Sequence, residues 1–265
     1  MEIGVSIFRG IDIEKQVECF KNLGVNRTFL ASKLEDFDYQ MQVLNENNII
    51  CENLHAPFEK INDMWGDDEE AATNILNRLK DCVDKCVKYN IPVAVVHVSS
   101  GRPMPEITEK GVKRYEELFR YAEERGVKIA LENLRYLENL QYFMDRYEDI
   151  GFCWDNGHEY CRSKGIRYMD YFGKKLMALH IHDNRCELDT DDHLLPFDGK
   201  IDFEAVAKDI ADSGYEGTIM LEVGKLVSVN GERVYENLSD EEYIKRAVDS
   251  VRRLADMVDK YKANK

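Results

Sequence analysis

Gly126-Val127-Lys128-Ile129-Ala130-Leu131-Glu132 is the stretch whose reading decides the fold. It follows a segment of helical periodicity over residues 108–124, and Gly126 stands where that helix must turn back. Glycine suits the left-handed backbone of a helix C-cap, and the apolar run after it reads as a strand. Glu132 then closes the run with a carboxylate. The same turn chemistry recurs at Gly24 before Val25 and at Gly214 before Tyr215. Short apolar runs over residues 3–7, 26–31, 49–54, 93–98, 128–132, 151–154, 177–181 and 218–222 make eight strand candidates. Helical patterns lie between them, among them residues 69–89, 108–124 and 203–212. A last helix opens on Ser239 and Glu242 as a capping box and repeats Val248, Val251, Leu254 and Val258 along one face. Near-continuous apolar strands alternating with helices require a parallel sheet covered on its outer face. The first turn, Phe8-Arg9-Gly10-Ile11, is no glycine-rich phosphate loop, which disfavours an open doubly wound sheet. The expected fold is α/β, a single (β/α)₈ barrel domain over residues 1–265.

A length of 265 residues suits one such barrel, and 44% apolar with 33% charged content is ordinary for a globular chain. Lysine and arginine number 36 against 51 acidic residues, a formal net charge of −15. That field repels phosphate backbones and offers no basic stripe, so nucleic acid is disfavoured as a partner. The seven cysteines, Cys19, Cys51, Cys82, Cys86, Cys153, Cys161 and Cys186, are odd in number, scattered and without a CxxC pair. Neither a disulfide framework nor a zinc ribbon is expected, and Cys82 and Cys86 read as buried helix thiols. Nothing approaches the ~18 continuous apolar residues of a membrane span. Residues 1–10 lack the basic and apolar regions of an export signal. A reducing cytoplasm is the expected location.

All six histidines fall at or just beyond strand ends. His55 ends the third strand and His97 the fourth, while His180 and His182 sit in the seventh. His158 follows the sixth strand by a few residues, and His193 lies in the long loop after the seventh. Glu132, Asp155 and Glu222 close the fifth, sixth and eighth strands. In a (β/α)₈ barrel these positions converge on the C-terminal face, where active sites form. A carboxylate at the end of a buried strand is costly unless it is paired or binds a cation. Taken singly, each acid is explained by a cap or by a salt bridge to Arg135, Arg162 or Arg185. Together, three acids and several imidazoles on one rim make a mixed nitrogen and oxygen donor set for divalent metal. Substrate contacts are expected from Phe8 and Trp65, which with Phe58 offer apolar walls in loops on that side. Further contacts are expected from His182, on the same strand face as His180, and from Arg185 just past the strand. Support of another ligand is the alternative for His182, and a surface salt bridge for Arg185.

Leu54-His55-Ala56-Pro57-Phe58, Leu131-Glu132-Asn133, Asp155-Asn156-Gly157-His158, His180-Ile181-His182-Asp183-Asn184 and Leu221-Glu222 resemble strand-end motifs of the xylose-isomerase-like TIM-barrel superfamily, in order through the chain. That superfamily includes sugar phosphate isomerases and epimerases, inosose dehydratase and isomerase, and type-IV apurinic endonucleases. Resemblance to its ketose 3-epimerase branch implies one metal on Glu132, Asp155, His180 and Glu222, with Glu132 and Glu222 also shuttling protons. The loop beginning Asp191-Asp192-His193 resembles a further family motif. With it the chain matches all nine ligand positions of the trinuclear zinc endonucleases, adding His55, His97, His158, Asp191 and His193. It departs from them at Ser6-Ile7-Phe8, in place of a glycine-rich opening loop, and at Phe197, where the turn usually carries glycine. The implied cofactor is one to three ions of Mn²⁺, Zn²⁺ or Co²⁺. The activity implied first is isomerisation or epimerisation of a sugar, sugar phosphate or polyol by proton transfer through an enediolate. Dehydration of an inosose-like ring shares its first half, and metal-dependent cleavage of abasic DNA is the second class. The expected partner is a small sugar or polyol, with homo-oligomer formation left open.

Overall fold

The computed structural model describes residues 1–163 and 165–264. Its barrel strands are β1 Glu2–Val5, β2 Arg27–Ala31, β3 Ile50–His55, β4 Val93–Val96, β5 Lys128–Glu132, β6 Gly151–Asp155, β7 Leu176–His180 and β8 Thr218–Leu221. Each matches a strand expected from the sequence, with ends moved by at most two residues. The helices are α1 Ile13–Asn22, α2 Phe37–Glu46, α3 Glu69–Tyr89, α4 Glu109–Glu123, α5 Leu137–Met144, α6 Asn156–Arg162, α7 Tyr168–Phe172, α8 Phe203–Ser213 and α9 Asp240–Ala263. Strands β2 to β7 pair in chain order as one parallel sheet, and β1 pairs in parallel with β8. Two backbone bonds of 2.9 Å, Ile181 N to Met220 O and Glu222 N to Ile181 O, tie the end of β7 to β8. On the other side Thr28 Oγ1 of β2 donates to Val5 O of β1 at 2.7 Å. The ring so formed is a TIM barrel.

The two-residue period of the strands decides what lies inside it. Ala94, Val96, Ile129, Leu131, Phe152, Trp154, Leu179 and Ile181 join the large apolar cluster shared with the helices. Val93, Val95, Ala130, Cys153 and Ala178 form a small separate cluster, the lining of the barrel. Two residues further along each of those strands, on the same face, stand His97, Glu132, Asp155 and His180. Small side chains thus floor the barrel and titratable ones cap it. Gly24, Gly126 and Gly214 take φ of 67°, 71° and 79°, the left-handed backbone required where a helix turns back into a strand. Ser239 and Glu242 form the expected capping box at the start of α9. The cysteines are free, Cys82 and Cys86 are buried, and among the described residues no helix is long and apolar enough to cross a membrane.

Candidate active site

Glu132 stands at the centre of the mouth. Its Oε2 lies 3.2 Å from His55 Nε2, 3.2 Å from His180 Nδ1 and 3.6 Å from His97 Nε2. Its Oε1 is 3.5 Å from His158 Nδ1. Asp155 faces His158 Nδ1 at 3.3 Å and His182 Nε2 at 3.2 Å. Asp191 reaches His158 Nε2 at 3.2 Å, His193 Nε2 at 3.5 Å and His182 Nε2 at 3.6 Å. Glu222 Oε2 is 3.5 Å from His180 Nδ1. Acids and imidazoles therefore alternate in one continuous array.

Local backbone chemistry holds the array in place. Asp155 ends β6 and at once caps α6, accepting His158 N at 2.6 Å, which sets His158 in the first turn. Asn133 fastens β5 to β6 by paired bonds of 2.8 and 2.9 Å with the Asp155 backbone. A Cβ on Gly157 would stand 1.9 Å from His182 Cε1, so only glycine lets that ring lie against α6. His55 Nδ1 sits 2.8 Å from Ala56 O, which leaves Nε2 for Glu132. Beyond β7 the Asp183 carboxylate accepts Gly199 N, Asn184 N and Ile201 N at 2.7, 2.8 and 3.0 Å, cinching the loop that carries Asp191 and His193. His193 Nδ1 lies 2.8 Å from Glu222 O, aiming Nε2 at Asp191. His193 and Phe197 take φ of 47° and 75°; the glycine expected at 197 would adopt that backbone without strain.

Burial opposes charge on Glu132, yet the imidazoles of His97, His180 and His55 around it hold its carboxyl well below the usual range. Burial likewise resists protonation of the rings, but the carboxylates outweigh it at four of them, His55, His158, His180 and His193. His55 is lifted to about 9 by Glu132, His158 to about 9 by Asp155 and Asp191, and His193 to about 10 by Asp191. At His97 burial prevails and the ring is pushed down to about 3. Both Glu132 oxygens, Asp155 Oδ2, His180 Nδ1, His182 Nε2 and Asp191 Oδ1 are buried without a hydrogen-bond partner. Such orphaned donors are what a cation would satisfy. The trios His55/His97/Glu132, His55/His180/Glu222, Glu132/Asp155/His158, Glu132/Cys153/His180 and His182/Asp191/His193 each bring their donor atoms within 4.8 Å. Nitrogen and carboxylate donors of this kind fit a divalent ion. The expected quartet of Glu132, Asp155, His180 and Glu222 is not gathered in any one of these groups, because Asp155 turns to His158 and His182.

A cavity of about 340 Å³ opens over the array, with Glu132, Glu222, His55, His97, His158, Asp191 and His193 in its wall. None of the four expected substrate contacts lines this cavity. Trp65 is buried at 3% exposure, donates its Nε1 to Val98 O at 2.7 Å and packs on Tyr115 and Phe143. Phe8 packs edge-on to Phe20 and Tyr243 and lines an adjoining cavity that shares Phe29 and Glu222 with the first. Arg185 is spent on a two-pronged pair with Asp192, at 3.0 and 2.9 Å, and on Asn230. His182 is fully buried and joins Asp191 and His193 as a candidate ligand rather than a cavity wall. Phe58 does line the cavity. So do three residues not foreseen as substrate contacts. Phe29 stacks on His180 with ring centroids 4.5 Å apart, and Arg135 and Arg162 also line the cavity. Their only signal in the sequence is spacing, three residues past Glu132 and four past His158.

Comparison with known proteins agrees with this geometry. Residues 15–236 match the family described as xylose isomerase-like TIM barrel. The y4fM protein of Sinorhizobium fredii is 32% identical over 196 residues, 68% of this chain and 60% of its own. Fructoselysine 3-epimerase of Shigella flexneri is 26% identical over 186 residues, 63% of this chain and 65% of its own. The chain thus spans less than two thirds of the length of these relatives. The solved structure of the IOLI protein with a bound zinc atom superposes with a TM-score of 0.76 at 20% identity, covering 98% of this chain and 99% of that one. With the barrel closed and residues 15–236 matching its model, this chain belongs to the xylose isomerase-like TIM barrel family.

Proposed function

We propose that the chain is a divalent-metal-dependent isomerase or epimerase of a ketose or related polyol, working by proton transfer through an enediolate. What carries this reading is the pair Glu132 and Glu222, which reach one cavity from β5 and from just past β8 with His180 between them. Glu132, His180 and Glu222 would hold the ion, with Asp155 joining them once its carboxylate turns from His158 and His182, and with His55, His97, His158, Asp191 and His193 available to a second or third. A bound Mn²⁺, Zn²⁺ or Co²⁺ supplies positive charge against the negative charge that develops on the sugar oxygens. Glu222, with its side chain 22% exposed on the cavity wall, takes the proton from the carbon beside the carbonyl. Glu132, wholly enclosed, delivers to the opposite side a proton supplied by the His55 imidazole 3.2 Å away. Phe29 and Phe58 wall the site and exclude water from the reacting carbon. The fructoselysine 3-epimerase relative and the zinc of the IOLI structure support the same chemistry.

The test is incubation with each metal in D₂O and a panel of ketoses, aldoses, inososes and their phosphates. Deuterium is expected at a carbon next to a carbonyl in at least one sugar, and product is followed in parallel to register a direct hydride shift. Neither exchange nor product with any sugar contradicts the proposal. A second reading, cleavage of abasic DNA, is favoured by one observation, that all nine endonuclease-like positions share the array. It requires metal-dependent incision of an abasic duplex that falls steeply with salt. The net charge of −15 predicts no specific incision at physiological salt.

A further inference from the structure

Three arginines from three different connections meet at the edge of the cavity. Arg102 comes from the segment between β4 and α4, Arg135 from the turn after β5, and Arg162 from the end of α6. All three converge on Asp189: Arg102 Nη2 lies 3.0 Å from Oδ2, Arg162 Nη1 lies 3.6 Å from Oδ1, and Arg135 Nη1 bonds Oδ1 directly. Arg162 also donates to Asp191 Oδ2 at 2.9 Å, so one carboxylate separates the guanidinium cluster from His158. Arg135 and Arg162 line the 340 Å³ cavity, and with Arg102 they line an adjoining one of about 280 Å³. Their side chains are each 15% exposed, and the Nε of each is buried without a hydrogen-bond partner. One salt bridge suffices to brace a loop. Three guanidiniums, two of them largely desolvated and incompletely bonded, are costly until further acceptors arrive. Guanidinium forks match the oxygens of a phosphate or carboxylate in pairs. Asp189 and Asp191 answer only two of these three positive charges beside the reacting centre, which leaves room for an anionic ligand.

We propose that Arg102, Arg135 and Arg162 form an oxyanion subsite for a phosphate or carboxylate group carried by the sugar, with the Asp189 carboxylate standing where that group binds. This rests on the sugar isomerase reading. The reactive end of the sugar lies at Glu222 and its anionic end at the arginines, across one cavity. Asp189 is suited to give way, since its side chain is 41% exposed and its φ is 64°.

The test uses metal-loaded protein and two readouts. Inorganic phosphate titrated calorimetrically is expected to bind the unaltered chain, at least about tenfold more weakly to Arg102→Gln or Arg135→Gln, and more tightly to Asp189→Asn, as loss of charge-assisted bonds and of a competing anion require. In matched ketose, ketose phosphate and sugar-acid substrates, the KM ratio of the charged to the neutral sugar is expected to rise at least about tenfold in the arginine variants. A rise confined to the phosphate or to the sugar acid identifies the group. No phosphate binding, equal KM changes for charged and neutral sugars, or weaker phosphate binding by Asp189→Asn overturns the subsite and leaves the arginines as loop braces. The titration decides the subsite even where no sugar reacts, so the two proposals fail separately.

Discussion

His97, Glu132, Asp155 and His180 stand at or just past the ends of hydrogen-bonded strands, whereas Asp191 and His193 hang in the long connection between β7 and α8. The first group is buried, with Glu132, Asp155 and His180 at 2% exposure or less. Its positions follow from the strand period and from pairing such as Asp155 against His180 in register. The second group depends on tethers: the Asp183 carboxylate, the Asp192–Arg185 pair, the Arg162 bond to Asp191 and the His193 contact with the Glu222 carbonyl. Left-handed backbone at Cys186, Asp189, His193 and Phe197 adds strain to the same segment. A sheet fixes ligands at low cost because its own hydrogen bonds are already made. A loop does so only while every tether holds, so metal or substrate steps that need Asp191 and His193 are the more easily lost.

The largest expected effects fall on the strand side. Glu222→Gln and Glu132→Gln keep an oxygen for an ion but cannot accept a proton, so turnover should fall by roughly 10²–10⁴-fold in each. Enclosed among imidazoles, Glu132 should also lose metal occupancy, while Glu222→Gln should retain more of it. Steady-state rates beside elemental analysis measure both, and a Glu222→Gln variant with near-normal solvent exchange would show that this glutamate transfers no proton.

On the loop side, Asp183→Ala removes the acceptor of three backbone N–H groups. A stability loss of about 1–3 kcal/mol is expected in urea unfolding, from unsatisfied buried donors. Any ion held by Asp191 and His193 should go first, leaving that on Glu132. Equal loss from both regions would erase the distinction between them.

A smaller, graded effect comes from pH. His55, His158 and His193, lifted to about 9, about 9 and about 10, bind protons more tightly folded than unfolded. Without metal, the stability they contribute is complete below about 6.5 and is lost as pH rises through 9 to 10. Coordination needs neutral nitrogen, so metal must displace these protons. Apparent metal affinity should climb between pH 7 and about 9 to 10 and then level, with proton release visible as a dependence of binding heat on the buffer. Affinity that falls over this range contradicts the ring assignments.

Strands and strand-end ligands were legible because each acid or histidine follows an apolar run, and the barrel carries all such ends to one face. Aromatic residues other than Phe58 were not. Met64-Trp65-Gly66 reads as a polar loop, but Gly111 of α4 leaves no side chain in the way and the indole closes against the Val98 carbonyl. Phe29 reaches His180 through a register shift between Thr28 and Phe29, an irregularity that leaves no mark in composition. Arg185 finds Asp192 across a turn whose shape depends on Asp183, and three arginines meet from connections distant in the chain. Contacts of this range are set by tertiary packing.

Elemental analysis of the chain and of Asp155→Ala, both purified without added metal, tests the central claim most directly. Asp155 touches both halves of the array, through His158 and His182, and caps α6 as well. The unaltered chain should carry one to three equivalents of divalent metal, and the variant, still folded by circular dichroism, should carry almost none. A metal-free parent that epimerises sugar in the presence of chelator, or undiminished metal in Asp155→Ala, would contradict the account.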